Sequence, residues 1–428
     1  MTKTLTAAIQ FGSSRISAAA AWIDDDGNCE VAAIESTPTD GCIRHGYVMA
    51  VDDTAVRIKS LLQKLSNRLK AQGSGQITAA YVGICGMSMR SMEHHPSLVA
   101  DESGEVTQEM IEALREQSMQ LTVPGYEILG ISSCGHFIQD QQLTAHHQLI
   151  IAESRLCQGY RAAMEKAKIR IAGIIATPLM VGDILTNEEK QNGCLLVNLG
   201  AQLTTVSVYA QGSLRKLTVL PLGGDSVTAD IASNGLSRFD AENIKQNWSD
   251  ASRMAVTEST ASTAIMACPI PIKELNVITA SRYEEIAINI MAQVEKSGYK
   301  GMLNAGCVLT GGASLQKGLT SLLSKRLDMS HISTRSCNTI RYGSSERKPH
   351  LSSLMSMLKV CTESCEQSAQ PAADQHAEQK PAPTPKPKTE PKRPEKKADS
   401  SGITFSRRTA AAGIRGFFDD LFSGIDEN

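Results

Sequence analysis

The sequence predicts a mixed α/β protein of two related halves, followed by an extended linker and a terminal amphipathic helix. Three observations lead to that reading. Three strands joined by glycine-bearing turns occur at the start of the chain and again from Cys194, each time ahead of helical sequence. Composition changes abruptly near Glu366, where proline and charge displace large apolar residues. Toward its end the chain turns apolar again, now with a helical period.

The first copy has a strand over residues 5–10, a Gly12-Ser13-Ser14 turn, a strand over 16–23, an Asp26-Gly27 turn and a third strand over 29–34. The second has a strand over 194–199, a Gly200-Ala201-Gln202 turn, a strand over 204–210, a Gln211-Gly212 turn and a strand over 214–220. Gly12 and Gly200 hold equivalent places. Helical sequence follows at 54–71 and at 241–247. The cleft between two such halves is the default ligand site.

At 428 residues the chain is long enough for two or more cores. A net charge of -2 gives no whole-molecule attraction to nucleic acid, and no nucleic-acid partner is expected. The 11 cysteines include no Cys-x-x-Cys pair, which suits reduced thiols rather than disulfides or zinc; no metal site is expected. Cys361 and Cys365 are expected to share a helical face as small core residues. No signal-like apolar run opens the chain and no segment has the length of a spanning helix, so a cytoplasmic body is expected.

A turn of glycine and small hydroxyls can bring several backbone N–H groups within reach of a phosphate, because glycine lacks a Cβ and tolerates positive φ. Phe11-Gly12-Ser13-Ser14-Arg15 and Leu199-Gly200-Ala201-Gln202 would be two such turns facing each other. The run from Val308 through Leu309-Thr310-Gly311-Gly312-Ala313-Ser314 reads as a strand ending in a double glycine before a helix over 315–327. That geometry lets backbone lie flat against a base or sugar. By spacing alone, Glu242 and Lys245 make an i,i+3 surface ion pair.

This set of turns resembles the actin, sugar-kinase and heat-shock-chaperone ATPase superfamily, and within it the FtsA family. The resemblance is carried by Pro221-Leu222-Gly223-Gly224-Asp225-Ser226-Val227-Thr228-Ala229-Asp230-Ile231-Ala232, by Ala241-Glu242-Asn243-Ile244-Lys245, by Arg282-Tyr283-Glu284-Glu285-Ile286 and by the 309–313 run. It spans nearly all of residues 1–360. It implies an actin-like fold: subdomain 1A over 1–86 and 148–191, an inserted 1C over 87–147, 2A over 192–225 and 301–365, and 2B over 226–300. It also implies a nucleotide site made by Gly12, Ser13, Ser14, Gly200, Ala201, Gln202, Gly224, Glu242, Lys245, Gly311 and Gly312, with Glu242 and Lys245 near the adenosine.

The chain departs from the family two residues before each turn glycine. There Gln10 and Asn198 replace acidic residues that help hold magnesium. The second turn reads Gly-Ala-Gln-Leu rather than Gly-Gly-Thr, and Thr205 stands where aspartate is common. Magnesium prefers charged oxygens, so ATP with Mg is expected to bind weakly and hydrolysis to be negligible.

Within 87–147 the expected elements are a strand over 88–94, a helix over 108–120 capped by Thr107, and strands over 128–139 and 146–152. The His94-His95 and His146-His147 pairs are expected on strand surfaces rather than as ligands. In FtsA-like proteins 1C takes part in filament contacts and recruits later division proteins. This copy reads as shortened between Cys134 and His146.

Residues 366–400 hold 7 of the 15 prolines and almost no large apolar residue, so a disordered Pro/Lys-rich linker is expected. Over 401–428, Ile414, Phe417, Phe418, Leu421, Phe422 and Ile425 fall on one helical stripe. Separated from the core by the linker, the stripe reads as an interfacial membrane anchor or as a helix for a partner's groove, with docking back onto the chain's own core as the plainer alternative. Asp419, Asp420, Asp426 and Glu427 oppose Arg407, Arg408 and Arg415, so adsorption would rest mainly on apolar burial.

The combined expectation is a cell-division adaptor, not an enzyme, on the cytoplasmic face of the inner membrane at the division site. It would polymerise as an actin-like filament, bind lipid through its terminal helix and hold the C-terminal peptide of tubulin-like FtsZ. The resemblance implies that Arg282 and Glu285 form part of that peptide groove; by spacing alone they are an exposed ion pair. Two rivals stand beside this reading. An active ATPase or phosphotransferase is disfavoured by Gln10 and Asn198. A PilM-like platform for a pilus or secretion machine would be expected to lack the proline-rich linker and terminal anchor.

Overall fold

The computed structural model describes residues 3–70, 75–100, 106–252, 270–337 and 348–367, which belong to one compact unit. The expected terminal helix, and all but the first two residues of the expected linker, lie outside the described residues.

The chain opens with β1 (Thr4–Phe11), β2 (Arg15–Ile23) and β3 (Cys29–Pro38), then a small hairpin of β4 (Ile43–Arg44) and β5 (Tyr47–Val48) and the helix α1 (Val51–Lys70). β6 (Gln76–Ile77) and β7 (Ala79–Ile84) follow. An inserted region comprises β8 (Arg90–His94), β9 (Ser97–Val99), α2 (Gln108–Met119), β10 (Tyr126–Gln139) and β11 (Gln142–Glu153). The first half closes with α3 (Ser154–Ala167), β12 (Arg170–Ala176), α4 (Thr177–Val181) and α5 (Asn187–Asn192).

The second half contains β13 (Cys194–Leu199), β14 (Thr204–Ala210), β15 (Ser213–Leu220), α6 (Gly224–Ala232), α7 (Arg238–Trp248) and α8 (Ile272–Lys296). It continues with β16 (Cys307–Thr310), α9 (Leu319–Leu327), β17 (Ile332–Thr334), α10 (Ser352–Leu358) and β18 (Glu366–Gln367).

The two halves repeat one topology. The first sheet has the order β12-β7-β1-β2-β3, and the second contains β17-β16-β13-β14-β15. In each, the opening strand lies centrally, with an antiparallel meander on one side and a parallel strand on the other. Ala18, Ala19, Ala20 and Ala21 of β2 are all fully buried. Such continuous burial requires cover on both faces of the strand, and α1 and α10 both pack against β2. From α1, Ile58, Leu61, Leu62, Leu65 and Leu69 enter the first core as one helical stripe. From α8, Tyr283, Ile286, Ile290 and Val294 enter the second.

The inserted region joins the sheet of the second half. β15 pairs with β8 at Thr218 and Arg90, and the Leu217 N–H donates to Ser91 Oγ at 2.9 Å. β8 then pairs with β11, and β11 with β9 and β10. Asp140 and Gln141, both at positive φ, close the β10–β11 hairpin as a two-residue loop demands. Thr107 caps α2, its hydroxyl accepting from the Met110 N–H at 3.2 Å. β11 runs to Glu153, past the boundary expected at residue 147.

Three local expectations are corrected. The helix expected from residue 315 starts at Leu319, because a tight turn at Gly312–Leu315 and left-handed Gly318 (φ 76°) come first. Cys361 and Cys365 share no helical face, since α10 ends at Leu358; both are nonetheless buried, and the Cys365 N–H donates to the Leu5 carbonyl at 2.9 Å. His147 is not on the surface but 3% exposed, beneath α2, where its Nδ1 lies 2.8 Å from Ser118 Oγ. Among the described residues no helix is long and apolar enough to cross a membrane.

Candidate functional site

The two glycine turns are built alike. The Gly12 N–H donates to the Arg15 carbonyl at 2.9 Å, and the Gly200 N–H to the Leu203 carbonyl at 2.8 Å. Each closes a four-residue loop between paired strands, Phe11 opposite Ile16 and Leu199 opposite Thr204. Added Cβ atoms would stand 2.9 Å from the Arg15 oxygen and 3.0 Å from the Leu203 oxygen, so close approach requires both glycines. Thr39 holds the first turn by donating its hydroxyl to the Ser13 carbonyl (2.6 Å) and its N–H to that of Ser14 (3.1 Å).

The second turn is capped by α6. The Gly224 and Asp225 N–H groups donate to the Gly200 and Ala201 carbonyls at 3.0 and 2.7 Å. Gln202 bonds in two directions. Its amide nitrogen donates to Asp225 at 3.1 Å, and its amide oxygen accepts the backbone N–H of His45, from the first half, at 3.0 Å. Asp225 is itself ion-paired with Arg238.

The double glycine lies against the end of β13. Gly311 has a φ of 89°, and a Cβ there would fall 2.3 Å from the Leu199 oxygen and 2.5 Å from Asn198 Oδ1. Asn198 donates its amide to Ser353 Oγ at 3.2 Å. Gly312 opens the tight turn that presents Ala313 to Gly224, where a Cβ would meet that of Ala313 at 2.9 Å.

Lys245 and Glu242 form more than a surface pair. Lys245 is 7% exposed, and its ammonium donates to Glu242 Oε2 at 2.7 Å, Thr228 Oγ1 at 2.8 Å and the Gly224 carbonyl at 3.0 Å. All three of its hydrogens are thus engaged within the protein. Glu242 also accepts from the Thr228 hydroxyl and, at 2.7 Å, from Gln246. Burial alone would raise its carboxyl, but Lys245 and these hydrogen bonds outweigh burial and hold it below the ordinary glutamate range.

Gln10, Ser13, Ser14, Asn198 and Gln202 place neutral oxygens and amides around the turns. The nearby carboxylate, Asp225, is already paired. This neutral donor set suits a magnesium-bound triphosphate less well than carboxylates would, because magnesium favours charged oxygens.

Away from the cleft, Arg282 grips Asp230 of α6 with a two-pronged contact, Nε to Oδ2 at 2.6 Å and Nη2 to Oδ1 at 2.8 Å, and also pairs with Glu285. The fork ties α8 to α6. Phe239, at the start of α7, is 74% exposed. The candidate membrane residues Ile414, Phe417, Phe418, Leu421, Phe422 and Ile425 lie outside the described residues.

Sequence reasoning missed Thr228, Asp225, Asp230, His45 and Ser353. A signal for the first existed: Gly224 and Thr228 are four apart and share a face of α6. His45 and Ser353 carried none.

A protein-family model described as cell division protein FtsA matches residues 195–394. Cell division protein FtsA of Porphyromonas gingivalis is 30% identical over 357 residues, covering 77% of this chain and 74% of the relative. That of Neisseria meningitidis is 27% identical over 346 residues, covering 75% and 81%. Among solved structures, a chain of a PilM–PilN type IV pilus biogenesis complex superposes with a TM-score of 0.61 at 16% identity, covering 82% of this chain and 97% of that one. The fold is actin-like.

Proposed function

The chain belongs to the FtsA family of cell division proteins, and from that premise we propose that it is a division-site adaptor rather than a catalyst. It anchors FtsZ filaments to the cytoplasmic face of the cell membrane and polymerises as an actin-like filament. Its inserted region recruits later division proteins. Lipid is held by the 401–428 helix through its apolar stripe, and the FtsZ C-terminal peptide by the outer helices around Arg282 and Glu285. Nucleotide binding is weak and hydrolysis negligible.

The observation that supports an adaptor over an enzyme is the self-contained bonding of the polar groups beside the Gly200 turn. Lys245, Glu242 and Thr228 satisfy one another, and amides stand where metal-holding carboxylates would be needed. A phosphotransferase needs a carboxylate base beside the transferred group, and neither turn supplies one. Likeness to the pilus-complex chain supports the shared fold and adds no preference for a platform role.

Pull-down of the full chain with the FtsZ C-terminal peptide tests the partner. Binding lost in Glu285→Lys is the expected result, and absence of binding by the unaltered chain would reject the FtsZ role. Vesicle sedimentation tests the anchor: Phe417→Glu with Phe418→Glu should release the protein, and unchanged pelleting would reject that part.

A further inference from the structure

The inserted region meets the second half around a cavity of about 170 Å³ that no role described above uses. Two irregularities of the sheet converge on it. In β15, Lys216 stands opposite Val208 and Leu214 opposite Tyr209, so Arg215 is an extra residue in the ladder. In β10, Ser133 stands opposite His147 and His136 opposite Ala145, so Cys134 and Gly135 together oppose His146. A bulge redirects side chains that would otherwise alternate between faces, which lets the adjacent Arg215 and Lys216 both line one cavity.

The cavity is cationic. Arg215, Lys216 and Lys296 line it, against the single carboxylate of Glu93. The Arg215 guanidinium is held by neutral acceptors: the Ala210 carbonyl at 3.0 Å, the Cys134 carbonyl at 3.3 Å and the Gln211 side chain at 2.8 Å. Among the described residues no carboxylate forms an ion pair with Arg215 or Lys216. Clustered cations with low-dielectric walls draw in an anion, and guanidinium with ammonium suits phosphate oxygens.

We propose that this cavity binds a phosphate group, as inorganic phosphate, a small phosphomonoester or a lipid headgroup. It is smaller than the roughly 300–1,000 Å³ typical of sites for larger ligands, which argues against a nucleotide. None of its lining residues belongs to the glycine turns or to the Arg282–Glu285 pair.

Titration calorimetry of the full chain with inorganic phosphate in chloride buffer, alongside pelleting with phosphatidylglycerol or phosphatidylcholine vesicles, tests the proposal. Lys216→Ala with Lys296→Ala is the chosen variant, because replacing Arg215 would also remove three structural hydrogen bonds. Saturable phosphate binding weakened about tenfold or more in the variant is expected, the scale of one lost charge-assisted hydrogen bond. If lipid is the source, the variant also loses its preference for phosphatidylglycerol; if free phosphate is the source, pelleting stays unchanged. Phosphate heats equal to dilution, or equal affinity in a variant whose thermal unfolding is unaltered, would overturn it.

Discussion

The Lys245 ammonium lies 3.0 Å from the carbonyl oxygen of Gly224, the first residue of α6, and so ties α7 to the turn-capping end of that helix. Through Gly224 the tie reaches the Gly200 turn, whose carbonyl accepts the Gly224 N–H.

Lys245→Met should therefore destabilise the fold by about 1–3 kcal/mol, measured as the denaturant midpoint, because it leaves Glu242 half-buried without its cation. The acid response should also weaken. With Lys245 present, Glu242 contributes stability above the ordinary value of 4.5, and the contribution is lost as pH falls through its lowered folded value. Without Lys245 its main counter-charge is gone while burial still opposes ionisation, so less stability is lost as pH falls. An unchanged pH profile would refute the linkage.

Gly311→Ala places a Cβ against the Leu199 oxygen at a φ of 89°. The expected cost is about 2–4 kcal/mol, from backbone strain and displacement of β13 together. Thermal unfolding measures it, and Gly312→Ala provides a control, since its nearest contact is the His350 Cβ at 3.6 Å.

Ser118 Oγ lies 2.9 Å from His94 Nδ1 and 2.8 Å from His147 Nδ1. One hydroxyl hydrogen can serve one neutral ring while the oxygen accepts from the other; two protonated rings would both present donors. Burial, followed by neighbouring cationic groups, lowers both histidines from the ordinary 6.5. Their contribution is complete above that value and is lost as pH falls through the lowered folded values. Corrected for intrinsic exchange, which itself slows in acid, protection of the α2 amides should fall about tenfold or more, with the core of α1 changing less. Equal loss of protection in both helices would show global unfolding instead.

Adding charge beside the glycine turns tests the proposal that nucleotide binding is weak. Gln10→Asp with Asn198→Asp should tighten Mg-ATP by about tenfold or more in titration calorimetry, since each carboxylate suits magnesium better than the amide it replaces. Asn198→Asp also gives up the amide bond to Ser353, so a small loss of stability should accompany the gain. Sub-micromolar Mg-ATP affinity in the unaltered chain would contradict the account.

The repeated strand triplets, the Thr107 cap and the Gly200 turn were legible in the sequence because each rests on local rules: apolar runs bounded by glycine turns, cap chemistry and a glycine at close approach. The terminal stripe is a helical spacing of six bulky residues in the sequence, and those residues lie outside the described ones. Composition alone also set apart the proline-rich linker.

Only tertiary structure decided which edges and polar groups meet. Thr218 pairs with Arg90, Gln202 reaches His45 from the opposite half, and Asp230 takes the guanidinium of Arg282. The bulges at Arg215 and at Cys134-Gly135 likewise belong to the pairing of strands rather than to either strand alone. Periodicity specifies the face that a residue presents, whereas a partner distant in sequence is chosen when packed cores bring two faces together. For that reason the elements could be read along the chain, but the bonding of the cleft and the cation-lined cavity could not.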